Sequence, residues 1–118
     1  MTGSNQSAEI LAQLFEVIES RRDRDVGSSY TAKLFASGTE KIAQKVGEEA
    51  VETVIEAMKS KGVSKLAEES ADLLYHLLVL WADKGVKPEE VWNVLAERFG
   101  LSGIEEKNLR QRDKGNGV

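Results

Sequence analysis

The chain has 118 residues, 41% hydrophobic and 31% charged, which is typical of one globular domain and excludes a disordered protein. Cysteine is absent, so disulfides and thiolate metal sites are excluded, and a cytoplasmic location is expected. The net charge of −4 argues against general nucleic-acid binding, and the longest apolar run, LLYHLLVLWA, is too short to cross a membrane as a helix.

The sequence predicts an all-α protein, because apolar residues recur at helical spacing and only one proline is present. We expect a bundle of four to five helices. In chain order, the helical segments are expected at residues 8–21, 30–38, 39–59, 64–83 and 88–100. The domain is expected to span residues 8–104, between a flexible N-terminus at 1–7 and a polar C-terminal tail at 105–118.

Short polar residues, glycine and proline mark the expected ends of these helices. Ser7, Thr39 and Ser64 precede apolar periodic runs and are the expected N-caps. Gly38 is expected to end the short second segment, and Pro88 suits the first turn of the last helix.

Two acidic motifs, EEAVE and ESAD, stand beside apolar runs in adjacent predicted helices. Glu49 and Glu52 are three residues apart, as are Glu69 and Asp72, and a helix turns by about 100° per residue, so each pair shares a face. The charged stripe of the first helix is narrow, and the second helix is apolar nearly all round beyond its acids. We therefore expect these helices to be packed from more than one side, with their acids in a crevice. Facing carboxylates of this kind predict a Mg²⁺ site that leaves positions open for phosphate oxygens.

The same acids could instead be ordinary charge on a solvated helix face, and the sequence leaves both interpretations open. Lys41 and Lys45 fit either ion pairs with these acids or contacts to phosphate. His76 is interpreted as a packed histidine and not as a ligand. Trp81 and Trp92 are interpreted as core or interface aromatics.

Longer stretches carry a resemblance to a known family: SSYTAKLFASGTEKIAQKVGEEAVETVIEA and EESADLLYHLLVLWADKGVKPEEVWNVLAERF. The pattern E-E-x-x-E…E-x-x-D resembles the signature of the all-α nucleotide pyrophosphatases of MazG-like fold. Residues 30–98 are similar to one family among them, the phosphoribosyl-ATP pyrophosphatases. The resemblance implies a dimeric helical bundle that uses Mg²⁺ to hydrolyse phosphoribosyl-ATP to phosphoribosyl-AMP and pyrophosphate, the second step of histidine biosynthesis.

The resemblance also implies three groups of site residues. Four carboxylates are implied to bind the metal: Glu49, Glu52, Glu69 and Asp72. Two acids are implied to hold or activate water: Glu48 and Glu49. Five residues are implied to lie near the substrate: Tyr30, Thr31, Lys33, Lys41 and Lys45.

Other functions stay open at this point. A MazG-like pyrophosphohydrolase acting on free NTPs or dUTP would carry the same four acids. A non-catalytic helical dimer module would carry them as surface charge. The homodimer is implied by the resemblance, and the run LLYHLLVLW would be awkward in a small monomer. The sequence does not determine the number of metal ions or which glutamate is the base.

Overall fold

The computed structural model describes residues 7–59 and 62–100, and all regular structure in these two ranges is helical. A short 3-10 turn at Val26–Ser28 precedes the second of the five α-helices in these two ranges. In chain order the helices are α1 (Glu9–Ser20), α2 (Tyr30–Ser37), α3 (Thr39–Met58), α4 (Val63–Lys84) and α5 (Pro88–Phe99). The predicted all-α fold is confirmed.

The chain divides into two units, and each is described by itself. Residues up to Gly85 form the first unit, which contains α1 to α4. The second unit begins at Val86 and contains α5. None of the described helices is long and apolar enough to cross a membrane. The predicted flexible N-terminus at residues 1–7, except for Ser7, and the predicted tail at 105–118 lie outside the described residues.

Several predicted helix boundaries agree with the structure. Gly38 follows the last residue of α2, and its φ of 93° is a backbone conformation that favours glycine. Gly85 ends α4 in the left-handed region, with φ 78°. Pro88 occupies the start of α5, where its missing N–H is not needed. The N-cap of α1 is Ala8 and not Ser7 as predicted; Ser7 lies one residue earlier, and its Oγ accepts a hydrogen bond from the Glu9 amide at 3.2 Å.

Thr39 and Ser64 are not N-caps, so these two predictions are wrong. Thr39 is the first residue of α3, and Ser64 lies inside the first turn of α4. The Thr39 hydroxyl donates to Asp83 Oδ2 at 2.5 Å, which ties the start of α3 to the end of α4. The Thr39 hydroxyl therefore binds a residue that is distant in sequence. Capping preferences, which depend on neighbouring residues, cannot predict such a contact.

The core of the first unit forms where α1 and α2 pack on the α3–α4 pair. Only residues 59–62 connect α3 to α4, and the two helices pack together extensively, so they run antiparallel. The buried core residues come from all four helices: Phe15, Ile18, Leu34, Ile42, Leu78, Val79 and Ala82. Glu49 lies seven residues after Ile42, about 10 Å along the helix axis. The acidic motifs therefore lie beyond the apolar core, on helices that the core holds in place.

The charged side chain of Arg22 lies at the end of this core opposite the acidic motifs. Arg22 Nη2 donates to the carbonyl of Ala82 at 2.5 Å and lies 3.2 Å from Glu19 Oε1. Its guanidinium carbon is 4.4 Å from the centre of the Phe35 ring. We call Arg22, Glu19, Phe35 and Ala82 the Arg22 junction, which joins α1, α2 and α4 through contacts that the guanidinium makes simultaneously.

Candidate active site

Three carboxylates from α3 and α4 converge into one group, which we call the acidic cluster: Glu49, Glu69 and Asp72. One oxygen from each lies within 4.8 Å of the others. The two helices come close at this level, because Thr53 Oγ1 lies 2.8 Å from the Glu49 carbonyl and 3.3 Å from the Glu69 carbonyl. The spacing of three residues between Glu69 and Asp72 on α4, and the close approach of α3 with Glu49, bring the acids together.

The acidic cluster is partly buried, and two of its oxygens lack partners. Glu49 retains only 8% of its exposed surface, Glu69 is half-buried, and Asp72 is exposed. Within the described part of the chain, Glu49 Oε1 and Glu69 Oε1 are buried without a hydrogen-bond partner. Burial raises the pKa of Glu69, and the neighbouring carboxylates of Glu52 and Asp72 raise it further. A cation would satisfy these oxygens, whereas leaving them ionised and unpaired costs free energy.

Glu52, the fourth predicted metal ligand, lies beside the cluster and not within the group of three that converge among the described residues. It is exposed, and its carboxylate is close enough to Glu69 to raise that residue's pKa. Glu48 and Glu52 both border a depression of about 570 Å³ on the outer face of α3, where Gly47 contributes no side chain. Glu52 is therefore placed between this depression and the cluster.

Glu48 lies outside the acidic cluster and is connected to it through Lys45. Its Oε2 accepts a hydrogen bond from Gln44 Nε2 at 2.9 Å. That hydrogen bond, and then the charge of Lys45, lower the pKa of Glu48 against the opposing effect of burial. Lys41 is exposed and contributes to the same lowering, which puts its charge near Glu48. Glu48 is consequently ionised at neutral pH.

Lys45 lies between the two predicted catalytic acids. Its Nζ is 3.5 Å from Glu48 Oε1 and 3.8 Å from Glu49 Oε2. Burial by itself lowers the pKa of Lys45, but the Tyr30 phenol and the two carboxylates outweigh it, so the pKa is raised. The amine therefore carries a positive charge at the edge of a strongly acidic region.

The three predicted substrate residues of α2 occupy different environments. Tyr30 is exposed, and its hydroxyl lies 3.0 Å from His76 Nε2. Thr31 is buried, and its hydroxyl is hydrogen-bonded to the hydroxyl of Tyr75, so this contact joins α2 to α4. Lys33 is exposed and borders, with Tyr30 and the residues at 26–29, a second depression of about 550 Å³.

Sequence reasoning missed the hydrogen bonds of His76. The residue is packed, as interpreted, and only 6% of its surface is exposed. It also joins the Tyr30 hydroxyl to the Asp72 carbonyl, which lies 2.8 Å from His76 Nδ1. The spacing of four residues between Asp72 and His76 was the available signal, because it places both on one helix face.

Carboxylates that converge from two neighbouring helices of an all-α bundle agree with the class that the acidic motifs resemble, the all-α nucleotide pyrophosphatases. The family described as phosphoribosyl-ATP pyrophosphohydrolase matches residues 11–99 of this chain. The chain is 59% identical to the phosphoribosyl-ATP pyrophosphatase of Azospirillum brasilense over 105 residues, covering 89% of this chain and 94% of that protein. It is 60% identical to the phosphoribosyl-ATP pyrophosphatase of Paramagnetospirillum magneticum over 107 residues, covering 91% and 97%. The chain therefore belongs to the phosphoribosyl-ATP pyrophosphohydrolase family, as its sequence predicted.

Proposed function

We propose that this chain is a Mg²⁺-dependent enzyme that hydrolyses phosphoribosyl-ATP to phosphoribosyl-AMP and pyrophosphate. The names of its relatives support the reaction. The observation that carries the proposal is the pair of buried carboxylate oxygens, Glu49 Oε1 and Glu69 Oε1, without a partner among the described residues. We also propose a cytoplasmic location, which the cysteine-free sequence supports.

The acidic cluster fits a hard divalent cation. Glu49, Glu69 and Asp72 supply only oxygen ligands, which Mg²⁺ prefers, and their spacing within 4.8 Å allows all three to contact one ion. The exposed position of Asp72 leaves one side of the cluster open to solvent. Glu52 is the fourth proposed ligand, since its carboxylate already interacts with Glu69.

The charges of the site require a cation for an anionic substrate to bind. A triphosphate would be repelled by the bare acids, and a bound Mg²⁺ would neutralise the phosphate oxygens and the departing pyrophosphate. Lys45, which already contacts Glu48 and Glu49, and exposed Lys41 are proposed to attract the phosphates from the α3 side. Lys33 and Tyr30 are proposed to contact the substrate from α2.

Hydrolysis adds water across the phosphoanhydride bond between the α- and β-phosphates. The water oxygen bonds to the α-phosphorus, the bond to the bridging oxygen breaks, and pyrophosphate leaves with the electron pair. We propose that Glu48 accepts the proton of this water, because its carboxylate is ionised and exposed. Glu49 is the second proposed base, although its burial in the cluster suits a metal ligand better.

We further propose that the chain acts as a homodimer. Four apolar residues on α3 recur at spacings of three and four and are at least half exposed: Val51, Val54, Ile55 and Met58. This stripe lies about 180° around the helix from Glu49, on the side away from α4. A helix that is apolar on both sides is typically covered on both sides, as the sequence predicted for this segment. A second copy covering the stripe would also cover part of the depression that Glu48 and Glu52 border.

Pyrophosphate release from phosphoribosyl-ATP tests the function directly. We expect turnover with Mg²⁺, none in EDTA, and recovery when Mg²⁺ is added in excess. ATP and dUTP are assayed in parallel under the same conditions. Faster turnover of either free nucleotide would assign the chain to the alternative substrate class. Absence of turnover with every nucleotide, in a folded protein, would favour the non-catalytic module.

Light scattering after size-exclusion chromatography tests the dimer. We expect the mass of two chains for the parent and of one chain for Val54→Glu, since the new carboxylate would be buried in the interface. Lys65→Glu is the control, because Lys65 is exposed on α4, where it pairs with Glu68 and its charge acts on Glu69, and it lies outside the apolar stripe of α3. A monomeric parent would refute the dimer.

A further inference from the structure

His76 links the acidic cluster to α2 through its two ring nitrogens. It is the only histidine of the chain and is buried in α4. Nδ1 lies 2.8 Å from the Asp72 carbonyl oxygen, which can only accept a hydrogen bond. Nδ1 therefore carries the ring proton. Nε2 is unprotonated, lies 3.0 Å from the Tyr30 hydroxyl, and accepts a hydrogen bond from that hydroxyl.

Tyr30 is held in place but remains open to solvent. Its ring stacks on Tyr75 with centroids 6.2 Å apart and meets the edge of His76 at 5.9 Å. These contacts fix the orientation of the ring, while 52% of the residue stays exposed. A tyrosine needed only for packing would be more deeply buried, since its ring would then contribute more apolar burial.

The held ring lies beside the catalytic groups. Tyr30 is close enough to Lys45 to contribute to the raised pKa of the Lys45 amine. The Nζ atom of Lys45 in turn lies 3.8 Å from Glu49 Oε2, an oxygen of the acidic cluster's central residue. On the other side, His76 connects Tyr30 to the backbone of Asp72. Tyr30 thus lies between Lys45, which is proposed to attract the phosphates, and the helix that carries two proposed metal ligands.

We propose that His76 is a positioning residue: by accepting the Tyr30 hydroxyl, it holds the exposed face of that ring at the edge of the acidic cluster, where it stacks on the purine ring of the substrate. This inference rests on the proposed function. An aromatic face of fixed orientation binds a flat base without first losing rotational freedom. Lys45 beside it would meet the phosphates of the same nucleotide.

Substitutions that separate the two hydrogen bonds of His76 test the proposal. His76→Asn keeps a donor for the Asp72 carbonyl but cannot reach Tyr30, whereas His76→Gln places an acceptor near the former Nε2. Tyr30→Phe removes the hydroxyl and keeps the ring. We expect His76→Asn and Tyr30→Phe each to raise KM for phosphoribosyl-ATP about fivefold with kcat nearly unchanged. The double variant should be no worse than either single variant, and His76→Gln should restore most of the affinity.

Tyr30→Ala removes the stacking surface as well, so its KM should rise further, by about tenfold or more. Nitrogen NMR of the single histidine gives a readout without turnover: we expect a protonated Nδ1 and an Nε2 resonance that moves in Tyr30→Phe. A purely structural role would lower the melting temperature and leave KM unchanged. If His76→Asn does not fold, Tyr30→Phe, at an exposed residue, decides the question.

The outcomes separate this inference from the proposed function. Absence of phosphoribosyl-ATP turnover in the parent refutes the function and this inference with it. Normal turnover in the parent, with KM unchanged in Tyr30→Phe and Tyr30→Ala, overturns the positioning role alone. Effects of His76→Asn and Tyr30→Phe that multiply in the double variant also overturn it, because two residues acting through one hydrogen bond are not additive.

Discussion

The acidic cluster and the Arg22 junction are both charged, partly buried regions of the first unit, but their polar atoms are paired to different extents. The Arg22 guanidinium contacts a carboxylate, a backbone carbonyl and an aromatic face. In the cluster, three carboxylates face one another, and two of their buried oxygens have no partner within the described ranges. The junction is complete without any ligand, whereas the cluster is not.

This difference separates residues that stabilise the fold from residues that the proposed activity requires. Like charges held together and partly buried lower stability, and proteins retain them where a ligand offsets the cost. Groups that are fully paired within the chain contribute to folding and need no ligand. Substitutions in the two regions should therefore have opposite effects on stability and on activity.

The largest expected effect is the loss of activity in Asp72→Asn. Asp72 is exposed, so the fold should persist, but removing one charged ligand should reduce turnover by about a thousandfold or more. The measurement is pyrophosphate release, with circular dichroism to check helix content. Glu68→Gln is the matched control: this acid is exposed on the same helix, 3.6 Å from Lys65 and outside the cluster. Turnover of Asp72→Asn within tenfold of the parent would contradict the assignment.

Magnesium should stabilise the parent and not a variant that lacks the central ligand. At a concentration well above its dissociation constant, the ion should raise the melting temperature by about 5 °C or more, because it binds only the folded state. In Glu49→Gln we expect little or no increase, since this buried carboxylate is central to the cluster. Thermal melts with Mg²⁺ and with EDTA measure the difference. Equal increases in both proteins would place the ion elsewhere.

Arg22→Ala should show the opposite behaviour to the cluster variants. Removing the guanidinium breaks the hydrogen bond to Ala82 and the contact with Phe35, so we expect the free energy of unfolding to fall by about 2 kcal/mol. At temperatures where the variant is folded, its KM and its response to Mg²⁺ should match those of the parent. Urea unfolding gives the stability, and Arg24→Ala, at an exposed site, is the control. A selective loss of Mg²⁺ binding would show that the two regions are coupled.

The helices and the acidic pairs could be predicted from the sequence because both depend on local spacing. Residues three or four apart share a helix face whatever surrounds them, so the convergence of Glu49, Glu69 and Asp72 needed only α3 and α4 to pack together. Glu52 has the same spacing, yet its distance from the cluster depends on how the two helices are rotated about their axes. No local pattern determines that rotation.

Contacts between distant residues could not be predicted in this way. The hydrogen bond between Tyr30 and His76 spans 46 positions, and that between Thr39 and Asp83 spans 44. Each hydrogen bond depends on how the loops between the helices orient one helix relative to another. The N-cap prediction for Thr39 is wrong for this reason: its hydroxyl, which is suited to capping, donates instead to Asp83 on α4.

The smallest expected effect is a gain in stability for Glu69→Gln in the absence of metal. Burial, with the charges of Glu52 and Asp72, raises the pKa of Glu69 above its ordinary value of 4.5. For a raised pKa, the stabilising contribution is present below the unfolded pKa and is lost as pH rises through the folded one. As pH rises through the folded-state pKa, the parent loses this contribution. The neutral amide of the variant retains it and can donate to the facing carboxylates.

We therefore expect Glu69→Gln in EDTA to melt at a higher temperature than the parent at about pH 7, and the difference to shrink as pH falls toward 4.5. Melts across this range, compared with Glu68→Gln to exclude a general effect of removing one negative charge, measure it. Addition of Mg²⁺ should reverse the order, because the parent gains a ligand that the variant binds poorly. A variant less stable than the parent throughout this range in chelator would mean that Glu69 is already satisfied in the metal-free protein, and the contrast with the Arg22 junction would no longer hold.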